Sequence, residues 1–144
     1  MGRDQPNFIH GRANYGWPLA SFGLEYERGL VGEGRVWVAG TELPAFTWSP
    51  SIAPSGMIIR SGDGFPGWRG HLLIGALGRR HPNRIVMREG LPRREERLLQ
   101  DLRLRIRPVA DGPGGSIHVG AGAGRILRLR PCAAPPTEVH AGSR

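Results

Sequence analysis

The stretch "LRLRIRP" (102–108) sets Arg103, Arg105 and Arg107 at every second position, with Leu102, Leu104 and Ile106 between them. A β-strand sends alternate side chains to opposite faces, so this pattern lines one face with guanidinium groups and the other with aliphatics. Same-face neighbours lie roughly 7 Å apart, close enough for two arginines to grip one small polyanion. Guanidinium pairs with carboxylate or phosphate in two parallel hydrogen bonds, which an ammonium cannot do. A solvated strand face is the competing reading of the same row.

The other chemistry-bearing residues are less patterned. "ANYGWP" (13–18) packs Tyr15 and Trp17 around Gly16, and reads as a structural corner or a binding aromatic pair. "WSPSIAPSGM" (48–57) is a stiff, proline-bounded loop that presents the hydroxyls of Ser49, Ser51 and Ser55. The five histidines show no metal-ligand spacing, and no nucleophile signature is present. "GAGAG" (120–124) lacks the spacing and the following helix of a dinucleotide-binding loop. One cysteine, Cys132, excludes an internal disulfide and a cysteine-based zinc site.

The elements that must position these residues are short. The chain has 144 residues, enough for one modest domain, with 23 glycines and 13 prolines punctuating brief apolar runs. The runs are "RVWVA" (35–39), "AFTW" (45–48), "GMIIR" (56–60), "HLLIGAL" (71–77), "RIVMR" (84–88), "ERLLQ" (96–100), "LRIRPVA" (104–110), "SIHVG" (116–120) and "RILRLR" (125–130). Turn signals fall between them: "GTE", "SGDG", "HPN", "DGPGG" and "GAGAG". Short strands near a ten-residue spacing predict an all-β sandwich, barrel or propeller. "LPRREERLLQDL" (91–102) reads equally as a helix or as a turn leading into a strand. Residues 1–34 are loop-rich, and 132–144 reads as a flexible tail.

The net charge of +8 comes with 20 basic residues, all of them arginine. They are spread along the chain and are not interleaved with stacking aromatics, so nucleic-acid binding is the weaker reading. No apolar run is long enough for a membrane span, and no signal peptide is visible at the N-terminus.

In order, "NYGWP", "GTELPAFTWSPSIAPSGM", "GFPGWRGHLLIGAL", "RLLQDLRLRIRPVADGPGGSIHV" and "GRILRLRP" resemble the C-terminal part of the PQQ-dependent aldose sugar dehydrogenases, the glucose/sorbosone dehydrogenase family. The resemblance runs over 1–131. It implies part of a six-bladed β-propeller, about two blades plus a loop-rich N-terminal segment. It also implies oxidation of aldose sugars to lactones, with PQQ and calcium as cofactors and the periplasm as the place of action. By the same resemblance Arg105 and Arg107 grip PQQ, Ser51 stands beside it, and Tyr15 contributes to a calcium site. Where the family carries a lysine after "GAL", this chain has Gly78, with Arg79 next as the substitute. The acidic calcium ligand is replaced by Gln5, and the aspartate after the arginine pair by Pro108. The general-base histidine, its acidic partner and a further cofactor block belong to the family's N-terminal half, the expected partner of this one. Two functional readings therefore stay open: the cofactor-gripping end of a sugar dehydrogenase, or a non-catalytic propeller remnant or binding module.

Overall fold

A computed structural model describes residues 3–23 and 29–132. Its strands form two antiparallel meanders. The first sheet orders β1 (Pro54–Ile59), β2 (Leu72–Ala76), β3 (His81–Arg88) and β4 (Leu91–Arg97) as neighbours in sequence. The second does the same with β5 (Ile106–Asp111), β6 (Ile117–Ala121) and β7 (Arg125–Leu129). Among the described residues the only helical segments are short 3-10 turns at Val31–Gly34, Gln100–Leu102 and Pro113–Gly115. Sequential meanders laid face against face are the blades of a propeller, so the expected all-β architecture of about two blades holds.

The first sheet is covered on both faces, which explains why "LLIGA" in β2 is apolar without interruption. Ile74 and Ala76 point to one side with Ile85 and are capped by Trp48 and Ile52 from the N-terminal segment. Leu73 points to the other side and packs among Ile106, Val109, Ile117 and Val119 of the second sheet. The β3–β4 connection is a two-residue turn at Glu89 and Gly90, both at positive φ, as a type I′ hairpin requires.

Several sequence expectations shift. "LPRREER" is strand β4, not helix. It pairs only with β3 and is the sheet's outer edge. Its charges are matched across and along strands: Glu95 accepts from Asn83 and Arg97, and Glu96 pairs with Arg84 and Arg94. A charged edge also discourages pairing with foreign strands. "HPN" is not a turn but the start of β3. The missing N–H of Pro82 falls at the sheet's end, where its carbonyl accepts from Leu98 N at 2.9 Å. The runs at 35–39 and 45–48 form no strand. Thr41 Oγ1 donates to Val38 O at 2.7 Å and Trp37 Nε1 to Thr41 O at 3.0 Å, folding the first run into a turn. The second contributes one isolated bridge, Asp4 with Trp48.

The arginine row is shorter than its sequence suggests. Leu102 closes a 3-10 turn and Arg103 takes φ +48°, so β5 begins only at Ile106. Alternation runs from Leu104 to Arg107, and a bulge between Ile106 and Val109 then breaks it. Two arginines, Arg105 and Arg107, share the exposed face. The tail expected over 132–144 lies outside the described residues, apart from the exposed Cys132.

Candidate functional site

β1 and β5 lie side by side and run the same way. Near their starts, Ser55 Oγ sits 2.8 Å from Ile106 O, 2.9 Å from Arg107 O and 3.0 Å from Gly75 O. One hydroxyl carries one proton, so this oxygen donates to one carbonyl at a time. Near their ends, Arg60 after β1 reaches Asp111 of β5. The starts of both strands therefore share one end of the paired sheets. The β2–β3 turn joins them there, with Leu77 N donating to Ala53 O at 3.0 Å. So does the β6–β7 turn, with Gly122 N donating to Arg105 O at 2.9 Å.

This end gathers the four residues expected to hold a cofactor. Arg105 and Arg107 stand exposed at the entry to β5. The bulge after Arg107 holds Pro108 and lies close against β1 and β2. A Cβ on Gly56 would lie 2.7 Å from Arg107 O, and one on Gly75 would lie 2.6 Å from the same oxygen. Pro108 sits in the bulge over Gly120, where no side chain stands in its way. Arg79 rides on the β2–β3 turn, where Gly78 N and Arg79 N donate to Ile52 O at 3.0 and 3.4 Å. Ser51, adjacent to Ile52, donates to Asp4 Oδ2 at 2.5 Å.

The arginines at this end lack acidic partners, as do Arg3, Arg12, Arg80, Arg88, Arg103, Arg125, Arg128 and Arg130 among the described residues. Arg60, Arg69, Arg84, Arg93, Arg94 and Arg97 each pair with a carboxylate. Among the described residues no carboxylate pairs with Arg79, Arg105 or Arg107. The acid beside them, Asp4, is taken up by Ser51, Ile52 and Ala53. Three guanidinium groups without a carboxylate partner at one end of the molecule therefore suit a ligand with several carboxylates. These residues fit PQQ, a tricarboxylate.

The residues expected to hold calcium fit that ion poorly. Tyr15 hydroxyl donates to Phe8 O at 2.8 Å and accepts from His10 N at 2.5 Å, closing the loop between them. Gln5 Nε2 donates to Asn7 Oδ1 at 3.5 Å. No hydrogen bond joins Tyr15 to Gln5, and neither side chain brings a charge. Among the described residues no three of His, Cys, Asp and Glu are grouped to bind a metal.

Sequence reasoning missed the tie at the opposite end. Arg60 is buried, its guanidinium bonded to an Asp111 carboxylate oxygen and to Gly115 O and lying 5.6 Å from the Phe65 ring centre. Asp111 Oδ2 accepts from Ser61 N at 2.9 Å and Ser61 Oγ at 2.7 Å. Burial raises the Asp111 pKa, but the Ser61 bonds and the Arg60 charge outweigh it and bring the carboxyl down to about 2. A second buried arginine, Arg84, lies 4.0 Å over the Trp68 ring and 3.2 Å from Glu96. Nearby His71 has its pKa lowered, first by burial and then by the Arg84 charge. No local motif announces either cluster, because the partners are far apart in sequence.

Comparison with known proteins identifies the family and supports the fold. The family model described as Glucose / Sorbosone dehydrogenase matches residues 1–128. The aldose sugar dehydrogenase YliI of Escherichia coli (strain K12) is 40% identical over 136 residues, covering 90% of this chain and 36% of that protein. A crystal structure of a glucose dehydrogenase superposes with a TM-score of 0.82 at 36% identity, over 93% of this chain and 39% of the other. A PQQ-bound aldose sugar dehydrogenase from Streptomyces coelicolor shares the fold at 22% identity, with a TM-score of 0.64 over 90% of this chain and 36% of its own. The chain thus spans little more than a third of the length of these relatives. With the family model matched over residues 1–128, the chain belongs to the glucose/sorbosone dehydrogenase family.

Proposed function

We propose that this chain supplies the PQQ-gripping end of a dehydrogenase that oxidises aldose sugars to their lactones. The observation that carries the reading is the gathering of Arg79, Arg105 and Arg107, none of them paired with a carboxylate among the described residues, at one end of two blades. In this reading Arg105 and Arg107 hold carboxylates of the cofactor, Arg79 adds a third cation, and Ser51 borders the same site. Bound PQQ supplies the quinone that accepts hydride from the sugar. This chain's residues bind and orient the cofactor, and none of them is assigned as the general base. The names of the relatives, aldose sugar dehydrogenase and glucose dehydrogenase, support an aldose as substrate. Family resemblance extends the reading to the periplasm, and among the described residues no helix is long and apolar enough to cross a membrane. Calcium held by Gln5 and Tyr15 is not part of the proposal, because their donor set lacks charge.

Titration with PQQ, followed by intrinsic fluorescence, tests this. Each charge-assisted hydrogen bond contributes about 1.5–3 kcal/mol, so Arg105→Ala and Arg107→Ala should each weaken PQQ about 10- to 100-fold. Equal affinity in wild type and both variants would remove the cofactor grip. A binding module without turnover is the second reading, favoured by the neutral Gln5 at the expected acidic position. It predicts PQQ binding without reduction of the cofactor on adding an aldose even when this chain replaces the corresponding segment of a full-length family enzyme.

A further inference from the structure

We infer that Asp4 is a positioning residue for the cofactor end, acting through the 51–53 loop on Arg79; this rests on the PQQ reading above. Asp4 is far from that loop in sequence but is locked beside it by the bridge to Trp48, whose N donates to Asp4 O at 2.8 Å. A single carboxylate oxygen, Asp4 Oδ2, then accepts from Ser51 Oγ at 2.5 Å, Ile52 N at 2.9 Å and Ala53 N at 3.1 Å. Ala53 takes φ +51°, a conformation that an alanine adopts only when its surroundings impose it. The three donors converging on Asp4 are what impose it.

The consequence reaches the next turn. With Ile52 and Ala53 fixed, their carbonyls point at the β2–β3 turn and accept from Gly78 N and Leu77 N, both at 3.0 Å, and from Arg79 N at 3.4 Å. Ile52 itself is buried against Trp48 and Ile74, so the loop has a packed floor. Asp4 thereby sets where the backbone of Arg79 stands. Asp4 also accepts the Ser51 hydroxyl's hydrogen bond, and Ala53 N donates to Ser51 Oγ at 3.0 Å, so the Ser51 hydroxyl belongs to the clamp and is not a donor for an anionic ligand.

The test is a double-mutant cycle on PQQ affinity in the purified protein, with thermal melting alongside. Asp4→Ala should weaken PQQ about tenfold, the effect of losing one charge-assisted interaction. Asp4→Asn should restore affinity to within about threefold, because its amide oxygen still accepts backbone donors. The Asp4→Ala loss should shrink when Arg79 is already alanine, as coupled residues require. Unchanged affinity in Asp4→Ala, whatever happens to melting, or losses that simply add in the Arg79→Ala background, would overturn the positioning role. Should Asp4→Ala fail to fold, Ser51→Ala takes its place in the cycle, removing one donor from the clamp. Its loss must likewise shrink with Arg79→Ala, and additive or absent loss would overturn the inference. PQQ that ignores Arg105→Ala, or fails to bind the wild type, would remove the cofactor reading and this one with it. PQQ weakened by Arg105→Ala but not by Asp4→Ala would remove the positioning role alone.

Discussion

At the scale of single residues, a buried ion pair lies at the end opposite the proposed cofactor site. The Arg60 side chain is 0% exposed and Asp111 is 26% exposed, and together they tie the end of β1 to the end of β5. Removing one partner of a buried pair leaves an uncompensated charge, at a cost of about 3–5 kcal/mol. Asp111→Ala should therefore lower the urea midpoint sharply, and a midpoint equal to wild type would show that the pair carries no stability. The pH dependence follows from the depressed carboxyl. The folded pKa of about 2 lies below the ordinary carboxyl value of 3.8, so the unfolded chain binds the proton more readily. Its stabilisation is present above pH 4 and is lost as the pH falls from 3.8 through about 2. A shift of that size is worth on the order of 2 kcal/mol, an upper figure given the group's partial exposure. Urea midpoints between pH 5 and 2 should fall in the wild type, and part of that slope should vanish in Asp111→Asn.

At the scale of elements, the blades meet through residues with no side chain to spare. A Cβ on Gly75 would stand 2.6 Å from Arg107 O and 2.7 Å from Ser55 Oγ, so β5 would have to move. Overpacking of this kind costs about 1–3 kcal/mol, and here it would displace the backbone of Arg107. Gly75→Ala should therefore weaken PQQ as well as lower stability, whereas a purely stabilising contact would change melting alone. Much of this layer was legible in the sequence. "GMIIR", "HLLIGAL", "RIVMR", "SIHVG" and "RILRLR" mark β1, β2, β3, β6 and β7, because residues buried on one or both faces leave a local apolar signature. β4 left none: an edge strand needs only backbone pairing and charge matching with β3, so "LPRREER" carries no apolar alternation. "RVWVA" carried the signature without the strand: among the described residues it joins no ladder, and Thr41 turns the chain back. At the site, Arg105 and Arg107 were legible as a row. Asp4 was not, since its three donors lie 47 to 49 residues away and only the fold brings them together.

At the scale of the whole molecule, the two sheets share one core. Leu73 belongs to the first sheet, but its buried neighbours are Ile106, Val109, Ile117 and Val119 of the second. The first sheet's other face is less complete. Met57 is 55% and Ile59 67% exposed, and with Phe8, Phe46, Leu72 and Met87 they line an open apolar pocket. Exposed apolar area contributes nothing to folding, so the shared core must hold both sheets together. Leu73→Ala removes a side chain from its middle, which typically costs about 2–5 kcal/mol. If the blades fold as one, the variant's urea transition should shift as a single step. The strand signal in far-ultraviolet circular dichroism and the fluorescence of Trp68, which packs on that core, should then be lost together. If the sheets were independent, the strand signal would split into two transitions, with part of it surviving at the wild-type midpoint. A split would place the cofactor's cations on two bodies free to move apart: Arg79 on the first sheet, and Arg105 and Arg107 on the second. A three-arginine grip on one small ligand requires the single transition.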